Sequence, residues 1–229
     1  MIGASRAGLL LSKNIVYGDP YFEDVVLLIP FEGENNSTTF TDHSLYSKTL
    51  SPVGDVCIKT AQSKWGAGSA YFDGTWDRIM VTPGGSELNL GTSNFTLEGW
   101  VYPSGSGSPL IDNQSSTNYF NIYFPGSTEF GLLIGGSWVF SSIAVSANQW
   151  NHIAIIRSGT DWFVYVGGKY KNTGSTLSNP SINLTTATTI GGYNGGHYFT
   201  GYVQDIRITK NVIRYTETFT PPTEKFYHP

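Results

Sequence analysis

The sequence is poor in charge. Lys, Arg, Asp and Glu make up 13% of its 229 residues, against roughly 25% in ordinary soluble domains. Glycine, serine, threonine and asparagine must therefore supply much of the polar surface. The 13 basic residues are outnumbered by 17 acidic ones, for a formal charge of −4. No basic field is available to release counterions from nucleic acid or to hold an anionic membrane, which excludes both as partners. Cys57 is the only cysteine, so no internal disulfide can form, and the fold must stand on burial alone, compatible with a reducing cytoplasm. Long apolar runs are missing too. Leu9-Leu10-Leu11 ends at Ser12 and Lys13, well short of a signal-peptide core or a membrane span. No long segment keeps the 3.6-residue spacing of an amphipathic helix.

What is abundant points to strands. Aromatic residues reach 14% and glycines number 27; rings and β-branched side chains fit a pleated surface, and glycine supplies its turns. Short apolar or alternating runs recur between glycine-rich breaks, at 25–31, 69–72, 95–102, 119–124, 130–134, 138–143, 150–157, 162–166 and 201–208. Gly135-Gly136 and Gly167-Gly168 each join two runs with residues free to take positive φ, as tight hairpins require, so the pairing is antiparallel. Phe95 to Val101 alternates, which predicts Phe95, Leu97 and Gly99 facing a core and Thr96 and Glu98 facing outward. Val25 to Ile29 is apolar on both faces. That mixture predicts an all-β, two-sheet antiparallel β-sandwich. Residues 1–24 lack periodicity, and Gly18-Asp19-Pro20 marks a turn before the first strand. The expected organisation is an N-terminal arm at 1–24, either an unstructured leader or a segment that anchors on a neighbouring subunit, followed by one domain at 25–229.

Several segments, taken in order, resemble the laminin-G-like, concanavalin A-like jelly-roll family as it occurs in bacteriophage virion proteins. They are Val25 to Gly33 with Thr39-Phe40-Thr41-Asp42, Lys64 to Gly74, Phe95 to Pro103, and Trp150 to Gly159. The most specific is Gly201-Tyr202-Val203-Gln204-Asp205-Ile206-Arg207-Ile208-Thr209-Lys210, running into Arg214-Tyr215 and Phe219-Thr220-Pro221-Pro222. The resemblance implies a jelly roll over Val25 to Phe226. Three positions depart from the family pattern: Gly99 for a large apolar residue, Gly167 for a turn asparagine, and Gln204 for the first acid of an Asp-Asp pair. Trp65, Trp100 and Trp150 fall within the matched segments and are expected in the core.

The sequence offers no clear catalytic centre. Glycoside hydrolases of this general shape need two carboxylates across the sugar, whereas Glu32 and Glu34 sit in a Gly-Asn-rich loop and Glu98 stands alone. His43, His152, His197 and His228 show no zinc-ligand spacing, and His152 reads as a hydrogen-bonded structural histidine. No cofactor is required. The resemblance points to a structural calcium at Asp42 and Asp205, with hydrogen bonding alone as the alternative. For sugar recognition, exposed rings stack on pyranose faces while polar loops supply hydrogen bonds. The candidates are Trp76, Asp77 and Arg78 in one loop, and Tyr193, Asn194, His197 and Tyr198 in another; the alternative is that these rings cap the sandwich ends or contact sister subunits.

The functional expectation is a non-enzymatic virion structural protein, a head decoration or a tail fibre or baseplate appendage, assembled in the host cytoplasm as a homo-oligomer. Its partners would be other virion proteins and host surface glycan. The alternatives are a lectin-like adhesin for host polysaccharide and, more remotely, a glycoside hydrolase.

Overall fold

A computed structural model describes residues 18–82, 85–105, 108–113, 119–171, 180–186, 188–193 and 195–226. Two antiparallel sheets face each other, as the alternation predicts. The larger has eight strands, running from one edge through Lys169–Tyr170, Asp161–Val166, Asn151–Ser158, Phe95–Pro103, Thr200–Lys210, Ser69–Asp73 and Cys57–Lys59, with Val25–Ile29 also paired to Thr200–Lys210. The second has seven: Ser137–Ala144, Glu129–Ile134, Phe120–Phe124, Ser108–Asn113, Thr188–Ile190, Arg78–Val81 and Leu50–Val53. Both double-glycine turns join hairpins, with all four glycines at positive φ, the geometry of a two-residue type I′ loop.

One core fills the space between the sheets. Phe95, Leu97, Ile153, Ile155 and Ile208 come from the larger sheet, and Phe120, Ile122, Phe124, Phe130 and Leu132 from the smaller. These are the alternate residues of their strands, so the opposite alternates point away from the core.

Thr200–Lys210 serves two neighbours on one side. Its first half pairs with Ser69–Asp73 and its second half with Val25–Ile29. Between them lies a β-bulge: Gln204 sits opposite Trp100 and Arg207 opposite Glu98, so Asp205 and Ile206 share the space across from Gly99. A Cβ on Gly99 would come within 3.1 Å of the Asp205 carbonyl oxygen and 3.2 Å of Ile206. The departure at Gly99 is thus the counterpart of the bulge. Gln204, another of the departures, accepts the backbone N–H of Lys64 through Oε1.

The alternation misleads at Glu98. Its side chain points away from the sandwich core as expected, yet it is 0% exposed. The chain beyond Lys210 folds back over this face, laying Tyr215 and Phe219 against Ala154, Ile156 and Tyr165, while Phe226 packs on Val25 and Leu28. Under this cover Arg207 donates to Glu98 Oε1 from Nε at 3.1 Å and Nη2 at 2.7 Å, and Tyr215 Oη donates to Oε2 at 2.8 Å. His152 Nε2 lies 3.2 Å from Oε2. Burial alone would raise the Glu98 pKa, but the Arg207 charge, His152 and Arg214 more than offset it and hold it at about 2. Thr96 is buried on the same face, donating to the Val212 carbonyl. The three tryptophans also differ from expectation. Trp100 is buried, but beside His152 on this covered face (ring centroids 5.2 Å apart), and Trp65 and Trp150 are half-buried.

Within the expected arm, residues 18–24 belong with the sandwich; residues 1–17 lie outside the described residues. Asp19 accepts Arg207 Nη1 at 2.9 Å and both Arg214 Nη groups at 3.0 and 2.6 Å. Burial would raise the Asp19 pKa, but its bonds to the two arginines win and lower it. Replacing Asp19 with Ala leaves two guanidinium groups sharing one carboxylate. We expect a loss of roughly 2–4 kcal/mol in urea unfolding at pH 7. Because the folded pKa is depressed, the deficit should shrink as pH falls below the ordinary carboxylate range; a deficit independent of pH would contradict this account.

Candidate ligand-binding cleft

The outer face of the smaller sheet carries a cleft of about 330 Å³ lined by Tyr119, Asn121, Tyr123, Leu133, Trp138, Tyr193 and His197. Strand alternation builds its floor. Phe120, Ile122 and Phe124 enter the core, which turns Asn121 and Tyr123 outward; Phe130, Leu132 and Ile134 do the same for Gly131 and Leu133. Asn121 pairs with Leu133 and Tyr123 with Gly131 across the ladder.

Gly131 makes the first wall possible. A Cβ there would fall 2.6 Å from Trp138 Cζ3 and 2.8 Å from the Phe140 carbonyl oxygen. The indole occupies the space that a side chain would fill. It stands edge-on to Tyr123, with centroids 6.5 Å apart, and remains 44% exposed. The second wall is the hairpin Gly192–Tyr193 with His197–Tyr198, whose Tyr193 and His197 rings lie almost parallel at 11° and 6.1 Å. Thr189 on the sheet donates its hydroxyl to the Gly192 carbonyl and so fixes the base of the hairpin. Under the floor, Asp112 is 2% exposed and accepts Asn121 Nδ2 at 2.7 Å. Asn121 Oδ1 is left buried without a donor.

The sequence-predicted sugar residues divide between two places. Tyr193 and His197 line the cleft; Asn194 lies outside the described residues. Tyr198 faces the other way, buried, with its ring 5.5 Å from that of Trp76. Trp76 is 60% exposed and held at φ +64°, a conformation that costs a bulky residue energy. Asp77 is an internal pin: its carboxylate accepts the backbone N–H groups of Asp55 at 2.8 Å and Asp73 at 3.0 Å. Burial first, then its carboxylate neighbours, push its pKa up to about 6. Arg78 is half-buried at the start of Arg78–Val81.

The carboxylates singled out for calcium have other work. Asp42 accepts the backbone N–H groups of Leu28, Ser44 and Lys48 and the Ser44 hydroxyl, at 2.8 to 2.9 Å. A carboxylate holding four donors pins a turn and does not fit a cation site. Asp205, at φ +54° in the bulge, accepts the Phe226 N–H at 3.3 Å and so ties down the returning chain. Among the described residues, the only group of three or more such side chains close enough for a metal is Asp55, Asp73 and Asp77, with ligand atoms within 4.8 Å of one another. It includes neither Asp42 nor Asp205.

Sequence reasoning missed Tyr119, Asn121, Tyr123, Leu133 and Trp138. The available signal was that three consecutive strands carry Asn121 and Tyr123, Leu133, and Trp138 at outward positions, where Ser, Thr or Lys would serve solubility alone.

The family model of the concanavalin A-like lectin/glucanases superfamily matches residues 73–217, more than half of the chain. The chain belongs to this superfamily. No curated protein sequence matches it. Among solved structures, domain 4 of AbnA, a GH43 extracellular arabinanase from Geobacillus stearothermophilus solved with arabinotriose, is similar at TM-score 0.60 and 14% identity, over 82% of this chain and 92% of that one. Botulinum neurotoxin type C, whose cell entry depends on two ganglioside molecules, is similar at TM-score 0.62 and 16% identity, over 84% of this chain and 49% of that one. The serotype D toxin binding domain reaches 0.63 at 12% identity, over 85% and 50%. This chain thus spans about half the length of those toxin domains, and at such identities the likeness is one of superfamily fold.

Two variants test these assignments. Gly131→Ala should displace the Trp138 indole, red-shifting tryptophan emission and costing about 1–3 kcal/mol; an unchanged spectrum and stability would refute the wall. At Asp205, burial comes first and the Glu32 charge adds to it, raising the pKa to about 7 from 3.8. A raised folded pKa means stability present below the unfolded value and lost as pH rises through about 7. Asparagine keeps an acceptor and tolerates the left-handed backbone. Asp205→Asn should therefore gain stability over the native chain as pH rises from 4 to 8, whereas a constant difference would exclude the titration.

Proposed function

We propose that the protein is a carbohydrate-binding module that holds glycan in the cleft on the outer face of its seven-stranded sheet and performs no catalysis there. The observation that carries this reading is the cleft itself: two aromatic walls flank a small polar floor laid on paired strands of the sheet. Ring faces present an apolar surface to the C–H face of a pyranose while amide and imidazole groups orient its hydroxyls. Arabinotriose in the AbnA domain and gangliosides in the type C toxin supply precedent for sugar ligands within related folds. Glycoside hydrolysis uses a pair of carboxylates, and the described residues lining this cleft are aromatic, amide, imidazole and aliphatic.

A setting on a phage particle is a finer part of the proposal. It rests on the resemblance of Gly201 to Lys210 and the segment that follows, and imaging of labelled protein on intact particles tests it. A truncation used to look for an anchor in the arm should keep Asp19, because losing it would disturb the sandwich itself.

Glycan arrays probed with multivalent protein, followed by titration calorimetry on the best ligand, test the binding reading. Trp138→Ala and Tyr193→Ala should each weaken binding by about tenfold or more, the equivalent of ~1.4 kcal/mol, with the fold retained by circular dichroism. Trp76→Ala, in the separate cluster, should leave affinity within about twofold. Equal losses from all three would point to a different surface.

A further inference from the structure

Resting on that reading, we propose that the cleft selects neutral and amino sugars and rejects anionic ones such as sialylated or uronic glycans. The argument begins with the row of outward side chains that crosses the whole sheet through the floor. The ladder sets Trp138 beside Leu133, Leu133 beside Asn121, Asn121 beside Asp112, Asp112 beside Thr189, Thr189 beside Met80, and Met80 beside Ser51. Seven strands contribute one formal charge to this row, and it is an acid. Among the described lining residues there is no Lys or Arg. Among these described residues His197, stacked with Tyr193, is the one side chain able to carry positive charge.

A sugar carboxylate entering such a site would exchange its hydration shell for ring faces and a floor backed by the buried Asp112. Desolvating an ion without a partner is costly, and the guanidinium that usually recognises a carboxylate is missing from the lining. The aromatic quadrupoles add to the discrimination, because their negative faces attract C–H groups and ammonium groups and repel anions. Asn121 gives one Nδ2 hydrogen to Asp112 at 2.7 Å, which ties this buried acid to the floor.

The full chain should be probed on an array of pairs of nearly equal size that differ in charge: sialyllactose methyl ester against free sialyllactose, methyl-esterified against free polygalacturonan, and N-acetylated against deacetylated chitin oligosaccharides. We expect the bound members to be neutral or amino sugars, with the anionic partner of any bound pair at least tenfold weaker. Asp112→Asn, which removes the charge and nearly preserves shape, should raise the ratio of acidic to neutral binding several-fold; an unaltered ratio would count against Asp112 as the source of rejection. An anionic glycan bound as tightly as its neutral partner would overturn the selectivity and leave the carbohydrate-binding reading standing. Silence across the whole array would overturn both.

Discussion

The buried carboxylate of Glu98 is the constraint on which the arrangement of this sandwich turns. An ion removed from water costs several kcal/mol unless it is paired and hydrogen-bonded. Glu98 is met from three directions: by Arg207 on the neighbouring strand, by His152 on the other side, and by Tyr215 from the returning C-terminal segment. Arg207 in turn needs Asp19, which also takes Arg214. Two segments far apart in sequence, 18–24 and 211–226, are thereby clamped over one face of the larger sheet. The charge network fixes where they lie, while Phe219 and Phe226 supply the apolar cover.

Closing that face assigns the other one its role. The core occupies both inner surfaces, and the returning chain covers the part of the larger sheet's outer surface around Glu98, Ala154 and Ile156, while Tyr71, Tyr102 and Tyr202 stay half-exposed beyond it. The outer surface of the smaller sheet carries the cleft, in a row of Trp, Leu, Asn, Asp, Thr, Met and Ser whose sole formal charge is one acid. The low charge of the whole chain thus has a local expression. A surface meant only for solubility is ordinarily dressed with both signs of charge; this row carries one ring, one amide and one acid among apolar and hydroxyl side chains.

Much of the fold was legible because alternation and glycine punctuation are local signals. The strands around Phe95, Phe120, Phe130 and Asn151 and both double-glycine hairpins follow from runs of a few residues, and the ordered motifs named the superfamily to which the chain belongs. Glu98 was read as solvent-facing because alternation reports which side of a strand a residue takes, not what covers that side. The cover comes from residues more than a hundred positions away. The cleft was half legible for the same reason. Tyr193 and His197 stood out in a loop, where rings ask for explanation, whereas Asn121, Tyr123 and Trp138 were absorbed into strands and needed the sheet order to bring them together. Asp42 and Asp205 were chosen as carboxylates at the right places in the chain. Only their donors reveal that one pins a turn and the other holds the returning segment at Phe226.

The hairpin at 192–198 shows how narrowly the site is specified. His197 and Tyr198 are consecutive strand residues, so their side chains leave on opposite sides: His197 toward Tyr193 and the cleft, Tyr198 toward Trp76. A slip of one residue in this short ladder would exchange the two faces, placing the tyrosine on the cleft side and the histidine against Trp76. What prevents the slip is local. A Cβ on Gly192 would meet the Asp77 carbonyl oxygen and the Tyr198 ring, both at 2.7 Å, so this position admits glycine alone, and Thr189 holds its carbonyl from the sheet. Asp77, first singled out as a sugar contact, thus bears on the cleft at one remove: it pins the turn whose backbone Gly192 packs against, and so helps to set the register of the wall.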